Sequence, residues 1–481
     1  MTRRVVGPFN RVEGDLEISL ESEDGVVKAA YVNAPLYRGF EQILLGKDPA
    51  DAMVFVPRIC GICSVAQSAA AAAALGAAAN AQVPPNGRLA GNLTLAAESA
   101  ADHLTHFYLF FMPDFANVHY RERPWYEAMS ARFRALHGSA AAEVMSARTG
   151  FLHVMSLLAG KWPHTLTLQP GGSARALQSS ERIRLFRMLR EFRDFLERSV
   201  YGDSLENVVA LDSPDRLQAW SEARAGTADF ARFLAIARDL GLDGLGGTQH
   251  PFISAGAYPQ DDGHFFARGV YDGELHALDP AQIREDVSSA RYAGDGTARS
   301  PLDDLTQPNA DKPGAYTWCK APRLAGRVVE TGALARQVVA GHPLARALVA
   351  PSGGSVMARV VARLLELARL VAAMEGWAQA LRPGEPYHAA TSMPAHADAC
   401  GLVEAARGTL GHWASIRRGK LRNYQIIAPT TWNFSPRDAQ GTPGAAEQAL
   451  VGTPTTGGDA VHPAIYHVVR SFDPCMVCTV H

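Results

Sequence analysis

Two short stretches decide the fold of this chain: Arg58-Ile59-Cys60-Gly61-Ile62-Cys63 near its start and Asp473-Pro474-Cys475-Met476-Val477-Cys478 near its end. In each stretch two residues separate the cysteines, a spacing that lets both sulfurs point at one metal ion without strain. Four thiolates suit a soft or borderline ion. Zinc, an iron–sulfur centre and nickel are therefore the candidates.

A structural zinc site is the plain alternative, because paired Cys-x-x-Cys motifs are its usual ligands. Ligand pairs of small zinc modules lie tens of residues apart, whereas these two pairs lie at opposite ends of a chain of 481 residues. Only Thr479, Val480 and His481 follow the second pair. A redox disulfide at either pair would leave the other pair unexplained. The spacing favours one metal site deep in the fold.

The composition is that of an ordinary globular protein, with 47% hydrophobic residues, 20% charged residues and a net charge of -2. The balance of charges argues against nucleic-acid binding, and six cysteines are too few for a disulfide framework. Residues 66–79 are too short an apolar run to span a bilayer, and residues 5–13 are too polar for a signal peptide. We expect a cytoplasmic protein with reduced thiols and no membrane insertion.

Apolar periodicity predicts an α+β, predominantly helical fold, a central helical bundle with small peripheral β-sheets. A hairpin is expected at residues 16–20 and 26–32, and helices near 66–79, 93–112, 127–159, 180–200, 213–240, 325–349 and 354–381. No clean boundary divides the chain, so residues 1–481 are expected to form one unit. Its segments would be β-rich 1–57, helical 58–245, irregular or β-rich 246–320, helical 321–381, and loop-rich 382–481, which closes the metal site.

The two cysteine motifs resemble the signatures of nickel–iron hydrogenase large subunits. Further segments of that family's pattern occur in order along the chain: Arg11-Val12-Glu13-Gly14, Tyr37-Arg38-Gly39-Phe40-Glu41, His106-Phe107-Tyr108, Trp318-Cys319-Lys320-Ala321-Pro322-Arg323, Glu404-Ala405-Ala406-Arg407-Gly408 and Pro429-Thr430-Thr431-Trp432-Asn433. The ordered set is far more specific than any one motif. It implies an enzyme that oxidises H2 or reduces protons.

The resemblance assigns the four cysteines to a nickel–iron centre. Cys60 and Cys475 would be terminal nickel ligands, and Cys63 and Cys478 would bridge nickel to iron. The iron would carry carbon monoxide and two cyanide ligands. Thiolates neutralise the metals and leave an open position where H2, the substrate, is split heterolytically.

By the same resemblance, Glu13 would carry the proton, because a partly buried carboxyl beside a thiolate has a raised pKa. Arg407 would lean over the open metal position and donate to one cyanide, and Thr430 would donate to the other. Lys320 is expected close to the metal ligands. Ala406 departs from the family, which usually has proline there, so the loop before Arg407 is expected to be less rigid.

A magnesium site is implied near the end of the chain, with Glu41, His481 and the carbonyl of Ile426 as ligands. Carboxylate and carbonyl oxygens suit magnesium, whereas the imidazole ligand rests on the resemblance. The alternative for His481 is a frayed terminal residue.

The remaining cysteines and histidines suggest no further metal site. Cys319 and Cys400 are single and far apart, which is typical of buried apolar residues. His103 and His106 lie one helical turn apart, and we interpret them as ordinary helix residues. With no iron–sulfur cluster expected in this chain, electrons would leave through an iron–sulfur small subunit, in a heterodimer or a dimer of heterodimers.

Three departures resemble the regulatory, hydrogen-sensing group. Gln67 and Asp15 stand where energy-conserving hydrogenases usually have histidine. Ile62 and Phe110 stand where smaller side chains are usual, so a gas tunnel would be narrowed and oxygen hindered. If His481 ends the full gene product, the C-terminal extension of most members is absent.

Together these traits predict a slow, oxygen-tolerant H2 sensor that controls hydrogenase gene expression, with a histidine kinase as partner by family analogy. The alternatives are an energy-conserving uptake hydrogenase and a non-catalytic scaffold stapled by zinc.

Overall fold

The computed structural model describes residues 2–294, 296–303, 305–455 and 461–481. Its strands form five small antiparallel sheets, ordered β1-β2-β3, β4-β5, β6-β7-β8, β9-β10 and β11-β12-β13. The strands are β1 Thr2–Val6, β2 Glu17–Glu23, β3 Val26–Asn33, β4 Leu168–Gln169, β5 Gly172–Ser173, β6 Phe252–Gln260, β7 Gly263–Tyr271, β8 Leu275–His276, β9 Ile283–Asp286, β10 Ala321–Leu324, β11 His396–Ala405, β12 Gly408–Arg417 and β13 Lys420–Ile427.

Helices make up the centre of the molecule. They are α1 Phe40–Ile43, α2 Ala52–Phe55, α3 Ser64–Ala78, α4 Pro85–Thr105, α5 Tyr126–Phe133, α6 Ser139–Leu152, α7 Val154–Leu158, α8 Ser179–Phe195, α9 Leu205–Val209, α10 Pro214–Glu222, α11 Asp229–Asp239, α12 Ala333–Val339, α13 Pro343–Val349, α14 Val356–Ala380, α15 Pro429–Asn433, α16 Ala445–Ala449, α17 Pro463–Ser471 and α18 Met476–Thr479. Two π-helical turns, His106–Phe111 and Leu196–Tyr201, continue α4 and α8.

The two longest helices organise the core. α14 is 25 residues long and packs along α4, with α8 and α12 also against it. Most of α14 is buried, because apolar residues occupy more than one of its faces. The predicted α+β fold with a helical centre and small sheets is confirmed. None of the helices in the described ranges is long and apolar enough to cross a bilayer.

Three long predicted helices are in fact broken into shorter ones. The stretch 127–159 divides into α5, α6 and α7, because Leu136 adopts a positive φ of 66° and Gly138 lies against the α5 carbonyls. The stretch 325–349 divides into α12 and α13 at Gly341, whose φ is 79°, and Pro343, which has no amide hydrogen to donate. The stretch 213–240 likewise divides into α10 and α11.

The stretch 382–481, expected to be loop-rich, contains the sheet of β11, β12 and β13. Nine of the ten residues of β12 are buried, so both of its faces are covered. A strand buried on both faces does not alternate between polar and apolar residues, which is why its pattern was missed. α3 packs against β11 and β12, and this contact fixes the helix that follows the first cysteine pair.

Candidate metal centre

The four cysteines of the two motifs meet in one buried cluster. The Sγ atoms of Cys60, Cys63, Cys475 and Cys478 all lie within 4.8 Å of one another. Cys475 Sγ is 3.5 Å from Cys60 Sγ and 3.8 Å from Cys63 Sγ, too far for a disulfide. Burial raises the pKa of Cys475 well above its usual value. Four buried sulfurs at this spacing fit a bound thiophilic metal, which would compensate their charge.

Local structure presents the sulfurs to one another. Cys60 follows the 3-10 turn Val56–Ile59 in an extended conformation, and Cys63 directly precedes the first turn of α3. The positive end of the α3 dipole therefore lies beside Cys63. Cys475 precedes α18 in the same way.

Arg38 joins the two cysteine loops. Its Nη1 donates to the carbonyl of Ile59 and, at 3.3 Å, to that of Val477, while its backbone amide donates to Val480. A guanidinium suits this role because its donors are fixed in a planar fork. The sequence showed Arg38 only as part of a matching segment, without a role.

Glu13 is bound to the second cysteine loop through its backbone. Its amide donates to Pro474 at 3.3 Å, and its carbonyl accepts from Met476 at 2.7 Å, as in a parallel bridge with Cys475. Its carboxyl is half-buried. Burial raises its pKa, with nearby Cys63 acting in the same direction and Arg407 opposing the rise. Glu13 therefore lies beside the cysteine cluster, and its role in proton transfer stays a prediction.

Arg407 is fully buried beside the cluster. Its Nη1 lies 3.3 Å from Cys63 Sγ, and its guanidinium also bonds Asp102 and Asp473 at 3.0 and 3.1 Å. Burial raises the pKa of Asp102 to about 8, although Arg407 opposes that rise. The sequence analysis missed both acids. Asp473 stood within the second motif, whereas nothing in the pattern of α4 distinguished Asp102.

Glu98 is a third buried acid that the sequence did not reveal. Its carboxylate accepts from the amides of Val65 and Ala66, both at 2.9 Å, and from Trp162 Nε1 at 3.0 Å. Burial raises its pKa to about 8, and these hydrogen bonds oppose the rise. Glu98 thereby anchors the first turn of α3, immediately behind Cys63.

Two of the other residues that were expected near the metals, Thr430 and Gln67, contact the cysteine cluster. The Thr430 hydroxyl accepts from the Cys475 amide at 2.9 Å, and Gln67 Nε2 lies 3.7 Å from Cys478 Sγ, so both lie at the cluster. Asp15 is exposed to solvent. Ile62 and Phe110 are half-buried, and the Phe110 carbonyl accepts from Arg11 at 3.0 Å.

A separate buried network surrounds Glu41. Lys320 Nζ donates to Glu41 Oε2 at 3.0 Å and to Gln425 Oε1 at 2.6 Å, so the structure places Lys320 in this network. The Ile426 amide donates to Glu41 Oε1 at 2.9 Å, and the magnesium-binding role of the Ile426 carbonyl stays a prediction. Burial acts to raise the pKa of Glu41, but Lys320 and His481 lower it to about 2.

His481 is buried in the same network. Its Nδ1 lies 2.6 Å from the Cys478 carbonyl and therefore donates a proton there, while its Nε2 lies 3.1 Å from Glu41 Oε1. In a neutral imidazole Nε2 is then an acceptor facing a carboxylate, which requires a cation or a proton at this point. Adjacent ligands of an octahedral magnesium ion lie about 3 Å apart, so the pair fits that metal.

His103 and His106 are hydrogen-bonded to groups outside the cysteine cluster. His103 Nε2 bonds Glu366 at 3.0 Å, and His106 Nε2 bonds the Arg470 carbonyl at 2.6 Å. Burial lowers the pKa of both rings, which makes them neutral core residues. Cys319 is buried and Cys400 is half-buried.

Comparison with known proteins settles the class of the site. The family profile described as "Nickel-dependent hydrogenase" matches residues 38–131 and 139–481. This chain belongs to that family. It is a nickel–iron hydrogenase large subunit whose cysteine cluster binds the nickel–iron site, so the zinc-stapled scaffold is wrong as an alternative.

Relatives cover nearly the whole chain. It is 30% identical to "Periplasmic [NiFeSe] hydrogenase large subunit" of Desulfomicrobium baculatum, over 99% of this chain and 94% of the relative. It is also 30% identical to "Hydrogenase-1 large chain" of Citrobacter freundii, over 100% and 95%. The reduced Ni-Fe-Se hydrogenase of D. vulgaris Hildenborough superposes with a TM-score of 0.83 at 30% identity, over 100% of both chains. None of these three relatives is named as a regulatory hydrogenase, so the hydrogen-sensing subtype stays a prediction.

Proposed function

We propose that this hydrogenase large subunit is the H2-activating part of a cytoplasmic, oxygen-tolerant hydrogen sensor. The observation that carries the proposal is the Gln67 amide 3.7 Å from Cys478 Sγ, at a position where energy-conserving members usually have histidine. An amide cannot take up and pass on a proton near neutral pH, whereas an imidazole can. Because Gln67 cannot relay protons, we expect slow turnover, which suits an enzyme that detects H2 rather than consuming it.

By resemblance, the four cysteines would have two different roles as metal ligands. Cys60 and Cys475 would bind nickel, and Cys63 and Cys478 would bridge nickel to an iron that carries one carbon monoxide and two cyanides. When bound, this group supplies an open coordination position at which H2 is polarised and cleaved heterolytically. The protein's own residues then manage the proton and the charge.

Glu13 would hold the proton. Its carboxyl is half-buried beside Cys63 and its pKa is raised, so it binds a proton more readily than an exposed carboxyl does. Its backbone bonds to Pro474 and Met476 keep it in place. Arg407, held by Asp102 and Asp473, would keep a fixed positive charge over the cluster and donate to a cyanide, and the Thr430 hydroxyl would donate to the other.

Oxygen tolerance would come from Ile62 and Phe110. Ile62 lies between the first two cysteine ligands and packs against the core, and Phe110 lies on the π-helical turn that follows α4. Large side chains at both positions narrow a path towards the metals, and a packed interior leaves little slack to widen it. H2 would pass more readily than O2.

Electrons would leave through an iron–sulfur small subunit, in a heterodimer or a dimer of heterodimers. The segment that leads to Cys60 exposes four large apolar side chains, Leu36, Ile43, Leu45 and Val54, which is typical of a surface that a partner covers. A histidine kinase would read the state of the complex, and magnesium would lie between Glu41 and His481.

Infrared spectroscopy of the purified complex, together with nickel, iron and magnesium analysis, tests this proposal. Bands of metal-bound carbon monoxide and cyanide, one magnesium per chain, and slow H2 oxidation that persists in air are expected. Rapid turnover that air abolishes would instead identify an uptake enzyme. That second candidate is favoured by a relative named "Uptake hydrogenase large subunit" from Rubrivivax gelatinosus, 26% identical over the whole chain.

A further inference from the structure

A line of hydrogen bonds extends from the cysteine cluster into the buried sheet. Gln67 Nε2 lies 3.7 Å from Cys478 Sγ, and Gln67 Oε1 lies 2.8 Å from Nε2 of His412. His412 Nδ1 in turn lies 2.8 Å from the hydroxyl of Tyr424. Each of these side chains is at most 2% exposed. Neither His412 nor Tyr424 has a part in the function proposed above.

The direction of donation along this line of hydrogen bonds follows from its first member, the metal-binding thiolate of Cys478. A thiolate only accepts hydrogen bonds, so the Gln67 amide must turn its NH2 group, not its oxygen, towards Cys478. The Gln67 oxygen then needs a donor, which His412 supplies from Nε2–H. Burial lowers the pKa of His412 to about 3, so the ring is neutral and carries one proton. Nδ1 is therefore an acceptor, and the Tyr424 hydroxyl donates to it.

The fold holds His412 and Tyr424 rigidly. His412 lies on β12 and Tyr424 on β13, where His412 is opposite Ile426 and Tyr424 is opposite Ala414, so the two side chains are diagonal neighbours. Their rings meet edge to face with centroids 5.5 Å apart. α3, which carries Gln67, packs on the same sheet. The amide at position 67 thus has a partner that fixes its direction.

We propose that His412 and Tyr424 are positioning residues that direct the Gln67 amide hydrogen at the Cys478 sulfur and so tune the bridging thiolate. This inference rests on the nickel–iron centre proposed above. A hydrogen bond to a thiolate withdraws electron density from it, and groups outside the ligand shell tune metals in this way. A glutamine whose oxygen has no donor would be free to turn, and the thiolate would lose its hydrogen bond.

The experiment compares infrared bands and metal contents of the whole complex in six forms and one control variant. The six forms are the wild type, Gln67→Leu, His412→Phe, the double variant, His412→Gln and Tyr424→Phe. Loss of the hydrogen bond enriches the thiolate in electrons, so the carbon monoxide band of Gln67→Leu and His412→Phe moves a few wavenumbers lower. In His412→Gln the side-chain NH2 group can still donate to the Gln67 oxygen, so the carbon monoxide band should lie at its wild-type position. Tyr424→Phe gives a smaller shift in the same direction.

The double variant is decisive, because residues that act through one another are not additive. The band of Gln67→Leu/His412→Phe should lie where that of Gln67→Leu alone lies. Tyr201→Phe is the control, since it removes a buried hydroxyl that donates to the Leu364 carbonyl on α14, and its band should not move.

Two results would overturn the inference while leaving the metal centre intact. They are an unshifted band in metal-loaded His412→Phe, and shifts that add in the double variant. If His412→Phe fails to load metal, an unshifted band in Tyr424→Phe overturns it instead. A wild-type complex without nickel, iron or these bands would remove the proposed centre, and this inference with it.

Discussion

The amide of Met476 donates a 2.7 Å hydrogen bond to the carbonyl of Glu13. This bond joins a segment near the start of the chain to the loop that carries Cys475, and the Glu13 amide completes the pair through Pro474. The residue expected to carry protons is therefore part of the framework that positions the metal ligands. Its side chain can be changed without loss of either backbone bond, which makes the two roles separable.

Glu13→Gln should abolish the exchange of hydrogen isotopes between H2 and water while nickel and iron contents stay unchanged. The amide keeps the shape of the side chain and both backbone bonds but cannot accept a proton at neutral pH. Mass spectrometry of hydrogen and deuterium gases measures the exchange. Glu13→Asp, which retains a carboxyl, should keep part of the activity, and wild-type exchange rates in Glu13→Gln would contradict the assignment.

Gly14→Ala should lower both the thermal stability and the nickel content of the protein. Gly14 has a φ of +81°, and a Cβ there would lie 2.9 Å from the Val477 amide nitrogen, so α18 and Cys475 must move. The backbone conformation alone costs about 1–3 kcal/mol for a residue other than glycine.

Gly25→Ala is the matched control for Gly14→Ala. Gly25 has a similar φ of +76°, but a Cβ there meets no atom within 4 Å. It should lose stability without losing nickel. Equal nickel contents in the two variants would show that contact with Val477 does not matter.

Ile62→Val combined with Phe110→Leu should make H2 oxidation sensitive to air. Smaller side chains at both positions open the path that the bulky ones narrow. Activity is followed with a dye under defined oxygen pressures. Ile183→Val, at a side chain 70% exposed on α8, should leave oxygen tolerance unchanged. Full activity of the double variant in air would reject the tunnel argument.

Glu447→Gln should raise the unfolding temperature more at pH 8 than at pH 5. Burial raises the pKa of Glu447 from 4.5 to about 7, so the folded state binds its proton more tightly than the unfolded state. That contribution to stability is fully present below pH 4.5 and is lost as the pH rises through 7, a change of about 3 kcal/mol at most. Glutamine keeps the oxygen that accepts from Val32 and Tyr316.

Calorimetry at the two pH values measures this difference. Glu274→Gln, at an exposed position, should show the same small effect at both. A stabilisation of Glu447→Gln that does not depend on pH would mean that Glu447 is already ionised at pH 5.

The sequence predicts the chemistry of the site better than its surroundings. Cysteine spacing and the matching segments predicted that the four cysteines, Glu13 and Arg407 lie together, because these residues occur in short motifs. Asp102 and Glu98 lie on a helix whose pattern gives no sign of buried acids. Their roles depend on what α4 packs against. Lys320 was expected near the metals, and the structure shows it paired with Glu41 in the other buried network.

Elements were predictable where local pattern and tertiary packing agree. The hairpin of β2 and β3 and the long α14 follow the predicted ranges closely. β12 was missed because burial on both faces removes its alternation, and the breaks near Gly138 and Gly341 depend on backbone conformations that periodicity does not report. The partner of Gln67 was equally hidden, since His412 lies 345 positions away.

The sulfurs of Cys60 and Cys475 lie 3.5 Å apart in space but 415 positions apart in the chain. A ribosome that adds about 5–20 residues per second needs roughly 20–80 seconds to cover that distance. Throughout that time the first pair of thiols has been made and the second has not. A metal ion that arrived during that interval would therefore find two of the four cysteine ligands. The cell must keep that pair reduced until its counterparts emerge.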